Sequence, residues 1–410
     1  MSKSFWQCTL ETMTYTLSQD QADALKAIGT WYRTPADRRA KPYLTLGGYA
    51  GTGKTTLIAY LRQALRQLDD EATVAFCAYT GKAARVLQER LREQKVPRHR
   101  DTVSTIHSLI YTSTERPDGT PQWDLKNSLD RNLIIVDEAS MVDESIWRDL
   151  LSFGIPILAV GDHGQLPPVG SSFNLMADPD LRLERIFRQA AGSPIIEMAT
   201  LARKTGIIPV QDFGPGVRKL NKAESEAGLE LQNIMESWKP DLLVLCGYNH
   251  TRVKLNQAIR SYRDATSSGP ETGDQVVCLR NDRDKKIYNG MTGHITSVRP
   301  ADDDPEAIWY ELSIALDGED YPFHGYAQRA QFGARETIRE VPVAPDGERG
   351  NLWDFGYALT VHKAQGSQAP KVLVFEERFP KMTDEDWRRW LYTAVTRATE
   401  ELIVIGDEPR

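Results

Sequence analysis

Short, mostly apolar runs recur along the first part of the chain, at 43–48, 74–78, 133–136 and 155–160. They are apolar nearly throughout rather than alternating with polar residues, as in a parallel sheet that helices cover on both faces. Segments with apolar residues at helical spacing separate them. The pattern therefore predicts an α/β domain with a parallel sheet.

Glycine or acidic residues directly follow these runs. Gly48 begins a glycine-rich turn, and Asp137 and Asp162 end the two later runs. In a parallel sheet, the chemistry collects at the carboxyl ends of the strands, where these residues fall. We therefore expect one functional edge in this domain.

The pattern changes after Gly206. Residues 241–262 read as a strand and a helix, and residues 273–298 alternate apolar and polar positions around an Asn-Gly turn, as in small antiparallel barrels. Two later stretches, 353–376 and 391–406, return to strand, loop and helix. We therefore expect two α/β domains, the second interrupted by a β insert.

Composition narrows the class of protein. The 410 residues are enough for two or three domains, and the four cysteines form no CxxC pair, so neither a zinc site nor a disulfide framework is indicated. The sequence shows neither a long apolar segment nor a signal peptide, which predicts a soluble, cytosolic protein with no membrane partner. Because the net charge is −7, any nucleic-acid site must be local.

Residues 48–55, GYAGTGKT, fit the P-loop pattern between a strand and a helix. The glycines let backbone N–H groups face phosphates, Lys54 meets the β and γ oxygens, and the Thr55 hydroxyl is a ligand for Mg²⁺. The alternative is a glycine-rich loop that contains a lysine by chance, but such a loop would not need a strand before it and a helix after it. The predicted nucleotide-binding residues of the loop are Gly51, Thr52, Gly53, Lys54, Thr55 and Thr56.

Two further segments complete a nucleotide hydrolase site. In VDEAS, Asp137 would hold Mg²⁺ and Glu138 would activate the attacking water, although an Asp-Glu pair alone could be a solvated strand end. In GDHGQLPPVG, Gln165 can sense a γ-phosphate by a neutral hydrogen bond, although the loop alone could be a proline-rich turn. Beside a P-loop, both segments favour the catalytic interpretation.

Eight segments stand in the order of the motifs of superfamily 1 helicases: GYAGTGKT, AYTGKAA, STIHSL, VDEASMVD, GDHGQLPPVG, LERIFRQ, TVHKAQGSQ and LYTAVTRA. GDxxQLPPVG and TIH resemble the RecD-like branch, and the near-minimal length resembles the small phage-type Dda helicases. The resemblance covers residues 17–406. It implies two RecA-like parallel-sheet domains, ATP and Mg²⁺ in the cleft between them, and a DNA helicase that moves 5′→3′ on single-stranded DNA.

The resemblance also assigns roles to single residues. Gln21 matches the glutamine that reads the adenine edge, although it could be an exposed residue at a helix start. Arg188 and Arg397 match the arginines that reach the γ-phosphate, although each could form a structural ion pair. Gln365 and Gly366 match nucleotide-binding positions.

Several positions resemble DNA-contact motifs, and their hydroxyl, amine and imidazole groups suit phosphate contacts that tolerate any sequence. They are Thr80, Lys82, Thr105, His107, Thr360 and His362. A lone histidine is also commonly structural, and Lys363 could be either a phosphate contact or a surface charge. Tyr79 stands where proline is usual and Gln368 where many relatives have glutamate, which leaves base contact and sugar selectivity open.

The resemblance also implies an insert in each of the two RecA-like domains. Residues 111–125 read as two short strands around a Pro-Asp-Gly turn, and in this family a hairpin there is the pin that splits the duplex. Trp123 is the candidate for stacking on the fork base pair, or equally a hydrophobic anchor of the hairpin. The β insert resembles an SH3-like barrel. The predicted division is 1–85 with 131–190 for the first RecA-like domain, 86–130 for the pin insert, 191–270 with 346–410 for the second RecA-like domain, and 271–345 for the barrel.

Two functions fit these features. The first is a helicase that unwinds duplex DNA; the second is a single-stranded DNA translocase that displaces proteins, or a motor subunit, without strong unwinding. Only the pin and Trp123 separate them. The expected partners are single-stranded DNA, its junctions with duplex, and replication or single-stranded-DNA-binding proteins. We expect a monomer acting in DNA replication, recombination or repair, in the cytoplasm of a bacterial or phage-infected cell.

Overall fold

The computed structural model describes residues 17–96, 98–115, 121–168, 173–186, 192–282, 284–301, 304, 307–345, 347 and 350–408, and at 113–115 and 121–123 the backbone alone. The chain divides into two compact units. The first is Met1–Thr112 with Asp124–Ile196, and the second is Ser113–Trp123 with Glu197–Arg410.

The first unit is an α/β structure around a parallel sheet. Its helices are α1 (Gln19–Arg33), α2 (Pro35–Ala40), α3 (Lys54–Leu68), α4 (Gly81–Glu93), α5 (Ile106–Ile110) and α6 (Glu144–Ser152). The strands along this part of the chain are β1 (Tyr43–Gly48), β2 (Val74–Ala78), β3 (Thr102–Thr105), β4 (Tyr111–Glu115), β5 (Pro121–Leu125), β6 (Leu133–Asp137), β7 (Ile157–Gly161) and β8 (Leu181–Leu183). Six of them form one sheet in the order β3-β2-β6-β7-β1-β8, and β4 pairs with β5 as a separate hairpin.

The apolar runs of the first unit are buried as the pattern predicts. Leu46, Ile135 and Leu158, from β1, β6 and β7, are inaccessible or nearly so and pack against α1 and α3. Burying each such side chain stabilises the fold by about 1.5–3 kcal/mol. Farther from this centre, Arg62 and Asp101 form a buried ion pair between Nε and Oδ2 at 2.8 Å. The cluster around these strands is thus apolar, and this ion pair lies outside it.

The second unit contains another α/β sheet and an antiparallel one. After α7 (Pro194–Thr205), its helices are α8 (Ser225–Glu236), α9 (Asn249–Tyr262) and α10 (Asp384–Val395). Its strands are β9 (Gln211–Gly214), β10 (Val217–Asn221), β11 (Leu242–Cys246), β12 (Gln275–Cys278), β13 (Thr292–Pro300), β14 (Trp309–Leu316), β15 (Pro322–Gln328), β16 (Trp353–Phe355), β17 (Ala358–Thr360), β18 (Ala369–Phe375) and β19 (Ala398–Gly406).

Two sheets share these strands. The order β17-β11-β18-β19-β10-β9 is parallel except for β9, and β15-β14-β13-β12-β16 is antiparallel. The chain passes from one sheet to the other at Gly356, where a Cβ would lie 2.7 Å from the Val276 carbonyl carbon, so glycine is required by the close approach. The α/β class with parallel sheets is confirmed, whereas an SH3-like barrel and a pin remain predictions.

A polar stripe on α9 joins the two sheets of this unit. Arg252, Asn256 and Arg260 lie four residues apart, so they share one face of the helix, and all three are buried. Arg252 Nη1 donates to Asp354 in β16 (2.6 Å), and Arg260 Nε donates to Asp274 before β12 (3.0 Å). The Asn256 amide bonds both the N–H and the carbonyl of Ala358 in β17 at 3.0 Å. One helix therefore holds strands of both sheets.

No helix in the described part of the chain is both long and apolar enough to span a membrane.

Candidate functional site

Three neighbouring strands of the first unit end in the predicted nucleotide motifs. β6, β7 and β1 lie side by side and run parallel, so their carboxyl ends share one edge. β1 leads into the P-loop, β6 ends at Asp137, and β7 ends at Gly161, just before the loop that contains Gln165. The fold thus brings together three segments that are far apart in the sequence.

The P-loop is a turn whose backbone leads into the start of a helix. Gly51 and Gly53 have φ angles of 78° and 77°, in the left-handed region that favours glycine. The 15-residue helix α3 begins immediately afterwards at Lys54, whose Nζ donates to the carbonyls of Gly48 (2.7 Å) and Tyr49 (3.2 Å). A helix amino terminus beside a lysine is suited to bind phosphate. The other predicted residues of the loop lie here too: Thr52 is buried, and Thr55 and Thr56 are half-buried in the first turn of α3.

Gln21 holds the P-loop from the first turn of α1. Ser18 caps this helix, and the Gln21 side chain completes a capping box by accepting a hydrogen bond from the Ser18 N–H (3.2 Å). The Gln21 Nε2 donates to the Thr52 carbonyl (3.0 Å), and the residue is completely buried. Gln21 is therefore not an exposed helix-start residue, because its amide supports the P-loop backbone.

Asp20 is a residue of this site that the sequence analysis missed. Its Oδ2 accepts hydrogen bonds from the N–H groups of Glu184 (3.0 Å) and Arg185 (3.1 Å), directly after β8. Burial acts to raise the pKa of Asp20, but hydrogen bonds, first among them that from Ser18, hold it below its ordinary value. The first turn of α1 thus holds both the P-loop and the segment that leads toward Arg188. The capping pattern of Ser18 and Gln21 is the signal that marked this turn.

Asp137 and Glu138 stand at the end of β6 on a strained backbone. Glu138 has a φ of 51°, an uncommon conformation for a residue with a side chain, and its N–H donates to Asp137 Oδ1 (3.0 Å). Burial raises the pKa of Asp137 to about 6, the Glu138 charge adds to this, and Lys54 opposes it. A buried carboxylate that is costly to charge is suited to bind a cation.

Asp162 and Gln165 form a tight turn at the end of β7. The Asp162 carboxylate is buried and accepts hydrogen bonds from the Gly164 N–H (2.9 Å) and the Gln165 Nε2 (3.3 Å). Its Oδ2 lies 4.0 Å from Lys54 Nζ, so the turn reaches the P-loop lysine. The Gln165 amide is therefore oriented by a carboxylate that itself faces the P-loop.

Tyr49 and His163 form an aromatic contact between these two loops, and neither residue was singled out from the sequence. Their ring centroids are 4.2 Å apart, and the ring planes are inclined by 45°. A tyrosine in the P-loop and a histidine in a glycine-rich turn give no signal by themselves. Only the adjacency of β1 and β7 brings the two rings together.

The predicted DNA-contact residues of the first unit have structural partners. Thr80 and Thr105 cap α4 and α5 by accepting hydrogen bonds from Ala83 (3.2 Å) and Ser108 (3.1 Å), while Lys82 is half-buried in the first turn of α4. β2 and β3 are neighbours, so these caps lie at adjacent strand ends. His107 is 4% exposed and packs against the rings of Tyr79 and Tyr111. The two threonines therefore lie at the same edge of the sheet as helix caps, whereas His107 is part of an aromatic cluster.

Most of the predicted residues of the second unit are buried. Thr360 and Gln365 are buried, and His362 is half-buried, which lowers its pKa. Arg397 is 1% exposed, and its guanidinium donates to the carbonyls of Thr393 (3.0 Å) and Ser367 (3.2 Å). Gly366 has a φ of 71°, which the turn between β17 and β18 requires. Arg397, which directly precedes β19, therefore supports this turn through its hydrogen bond to Ser367.

Arg188 and Trp123 are the remaining predicted residues. Arg188 lies outside the described residues, and so does the side chain of Trp123, whose backbone is part of β5. Their roles remain predictions from the family pattern.

The fold and the clustered motifs define a P-loop nucleotide-binding protein. Two family models match: residues 36–171 match the AAA domain, and residues 355–405 match the UvrD-like helicase C-terminal domain. The ATP-dependent RecD2 DNA helicase of Deinococcus radiodurans is 29% identical over 419 residues, which cover 95% of this chain and 49% of that protein. The ATP-dependent DNA helicase dda of Enterobacteria phage T4 is 28% identical over 181 residues, 41% of this chain and 39% of that protein.

These matches indicate a RecD-like member of the superfamily 1 helicases. The chain spans about half the length of its RecD2 relative. Among solved structures, the Pif1 helicase from Bacteroides in complex with ADP-AlF3 and ssDNA covers 97% of this chain and 94% of its own, at 18% identity and a TM-score of 0.48. That similarity is too low to add to the fold described above.

Proposed function

We propose that the chain is an ATP-dependent DNA helicase that moves 5′→3′ on single-stranded DNA and unwinds duplex. The observation that carries the proposal is the shared edge of β1, β6 and β7, where Lys54, the Asp137–Glu138 pair and Gln165 follow adjacent strands. Similarity to RecD-like helicases supports DNA as the substrate, and the resemblance of the motifs to that branch is the ground for the proposed direction of movement. A nucleotide-binding protein of another class would not need the TIH and TVHKAQG segments.

The residues present fit ATP and Mg²⁺. Gly51 and Gly53 let the backbone turn toward a phosphate, and α3 presents its amino terminus there. Thr55 and Asp137 offer a hydroxyl and a carboxylate, the oxygen ligands that Mg²⁺ prefers. When bound, Mg²⁺ would neutralise charge that develops on the phosphates.

The side chains of this edge have distinct tasks in hydrolysis. Glu138 accepts the proton of the attacking water, from a strained backbone position directly after Asp137. Gln165 recognises the γ-phosphate through an amide that Asp162 orients. Lys54 must release the Gly48 and Tyr49 carbonyls to reach the phosphates. Arg188 and Arg397 are proposed as the further γ-phosphate contacts, and Gln21 as the adenine contact.

DNA contacts are proposed for the motif residues in both units. Thr80, Thr105 and Thr360 stand at the carboxyl ends of β2, β3 and β17, where hydroxyl and backbone N–H groups suit phosphate contacts. Lys82 and His362 follow in the same segments. The hairpin of β4 and β5 is proposed as the pin, with Trp123 at the fork, and the antiparallel sheet as an SH3-like barrel. We propose a monomer that works at single-strand–duplex junctions in the cytoplasm.

Strand displacement on forked DNA tests the proposal. Two substrates carry a 5′ or a 3′ single-stranded tail, and each is incubated with and without ATP and Mg²⁺. Displacement that requires ATP and the 5′ tail is the expected result. Displacement from the 3′ tail alone would contradict the direction, and DNA-stimulated ATP hydrolysis without displacement would identify a translocase instead.

A further inference from the structure

We propose that Tyr49 and His163 form an aromatic pair that positions Gln165, and that this pair sets the preference of the site for a nucleoside triphosphate over a diphosphate. The inference rests on the proposed function in one respect, the role of Gln165 as the γ-phosphate sensor. His163 lies two residues before Gln165, and Tyr49 is the second residue of the P-loop. Their rings are in contact, with centroids 4.2 Å apart.

The His163 ring is wedged between the P-loop and the end of β1. A Cβ on Gly47 would lie 2.8 Å from His163 Nδ1 and 2.5 Å from the Pro179 Cγ, so only glycine leaves room for the ring. The same ring also meets Tyr49. Its place is therefore restricted by the shape of both neighbours.

The histidine acts through its ring rather than through hydrogen bonds. Among the described residues, neither ring nitrogen has a hydrogen-bond partner, although both are shielded from solvent. Burial lowers the pKa of His163 and so favours the neutral ring, and the Asp162 charge offsets part of this effect. A phenyl ring could therefore replace the imidazole without loss of a hydrogen bond.

The position of His163 determines the position of Gln165, because a tight backbone turn links the two residues. Between them the backbone turns tightly, because the Gln165 N–H donates to the Asp162 carbonyl (3.2 Å) and the Gly164 N–H donates to the Asp162 carboxylate (2.9 Å). A shift of the ring would carry this turn with it. The Gln165 amide would then move relative to the P-loop.

The aromatic pair is independent of the lysine that binds phosphate. Lys54 and Asp162 make a second contact between the same loops, at 4.0 Å, but it depends on an ammonium group that must turn to the phosphates. The contact between Tyr49 and His163 does not involve that group. It can hold the two loops together while Lys54 changes partners.

Equilibrium binding of ADP and of a non-hydrolysable ATP analogue to the full chain, with Mg²⁺, tests the pair. His163→Ala is expected to weaken binding of the ATP analogue by about three- to tenfold, the size of an aromatic pair contribution, and to change ADP binding little. His163→Phe should keep the wild-type preference. Tyr49→Ala should match His163→Ala, with no further loss in the double variant.

His99→Ala is the matched control, because His99 is exposed and lies in the same unit. An equal loss of both nucleotides in His163→Ala would show a general P-loop defect and overturn the inference, as would no loss at all. Failure of His163→Phe to restore the preference would also overturn it. Thermal melting checks folding, and if His163→Ala does not fold, Tyr49→Leu carries the same expectation.

The assay needs neither hydrolysis nor DNA, so it separates this inference from the proposed function. A wild-type protein that discriminates between the nucleotides but does not unwind DNA refutes the helicase and leaves the pair to be judged by its variants. A wild-type protein that binds neither nucleotide refutes both.

Discussion

The two α/β units secure their motif loops in different ways. In the first unit, the loops follow strands that pack in an apolar core. Single contacts then position these loops, such as the Gln21–Thr52 hydrogen bond and the ring pair of Tyr49 and His163. In the second unit, the polar stripe of α9 fixes β17, the strand that ends at Thr360 and precedes His362. The first arrangement leaves side chains at the edge to change partners, while the second makes the loop part of a buried network.

This difference matters for energetics. Packing between apolar groups tolerates small displacements, whereas a buried ion pair that loses one partner leaves an uncompensated charge. Arg252 and Asp354 are both nearly inaccessible, and so are Arg260 and Asp274. We therefore expect changes at the edge of the first unit to affect turnover, and changes in the stripe of the second unit to affect folding.

Glu138→Gln gives the largest expected effect and tests the first half of the comparison. Turnover of ATP should fall by ~10²–10⁴-fold, because the amide cannot accept the proton of the attacking water. ATP binding and the melting temperature should stay near the wild-type values. Steady-state ATP hydrolysis with single-stranded DNA measures this. Glu144→Gln, an exposed residue of α6, is the control, and near-normal turnover of Glu138→Gln would mean that another group is the base.

Arg252→Leu tests the second half. It leaves the Asp354 carboxylate buried without its main partner, which should lower the free energy of unfolding by about 3–5 kcal/mol. Chemical unfolding followed by circular dichroism measures the loss.

The matched variants make the interpretation of Arg252→Leu specific. Lys254→Ala changes an exposed residue on the same helix and should have little effect. Replacing Arg252 and Asp354 together by leucine should recover much of the loss, because no unpaired charge remains. If the double variant is less stable than Arg252→Leu, Asp354 stabilises the unit through its hydrogen bonds from the Gly333 and Phe355 N–H groups rather than as the partner of Arg252, and the comparison must be revised.

Lys363 gives the smallest expected effect and decides whether it contacts DNA. Burial, with the nearby Arg252 charge, lowers the pKa of Lys363 to about 8, so the free protein loses this positive charge as the pH rises through about 8. If Lys363 binds a phosphate, affinity for single-stranded DNA should fall several-fold between about pH 7 and about pH 9, because only the charged form binds. Fluorescence anisotropy across this range measures the affinity.

Lys363→Gln should flatten that pH dependence and reduce the salt dependence of binding by about one phosphate contact. Lys381→Gln, an exposed residue, is the control. Identical pH profiles for the wild-type protein and Lys363→Gln would make Lys363 a structural charge.

Sequence patterns predicted the parts of the fold in which a motif directly follows a strand that the apolar pattern also marks. The P-loop and the Asp137–Glu138 pair each follow an apolar run, so the parallel sheet places them at one edge. His107 shows the limit: its motif predicts a DNA contact, which stays a prediction, and gave no sign that the side chain is buried and packs against Tyr79 and Tyr111.

Other contacts depend on partners that no local pattern encodes. Asn256 meets Ala358, about a hundred residues away, and Gln21 meets Thr52. In both cases a polar side chain on a helix reads as exposed until the sheet order is known. The spacing of Arg252, Asn256 and Arg260 could have marked a common face, but not whether that face was buried.

The first turn of α1 also sets where the chain can be altered. Gln21 bonds the P-loop at Thr52, and Asp20 bonds the backbone just after β8, so four consecutive residues, Ser18–Gln21, tie two distant stretches to one helix end. Deleting this turn would release both stretches at once, although it carries no catalytic group. A library of shortened or fused proteins should therefore show an abrupt limit at this turn, with nucleotide binding lost in a single step.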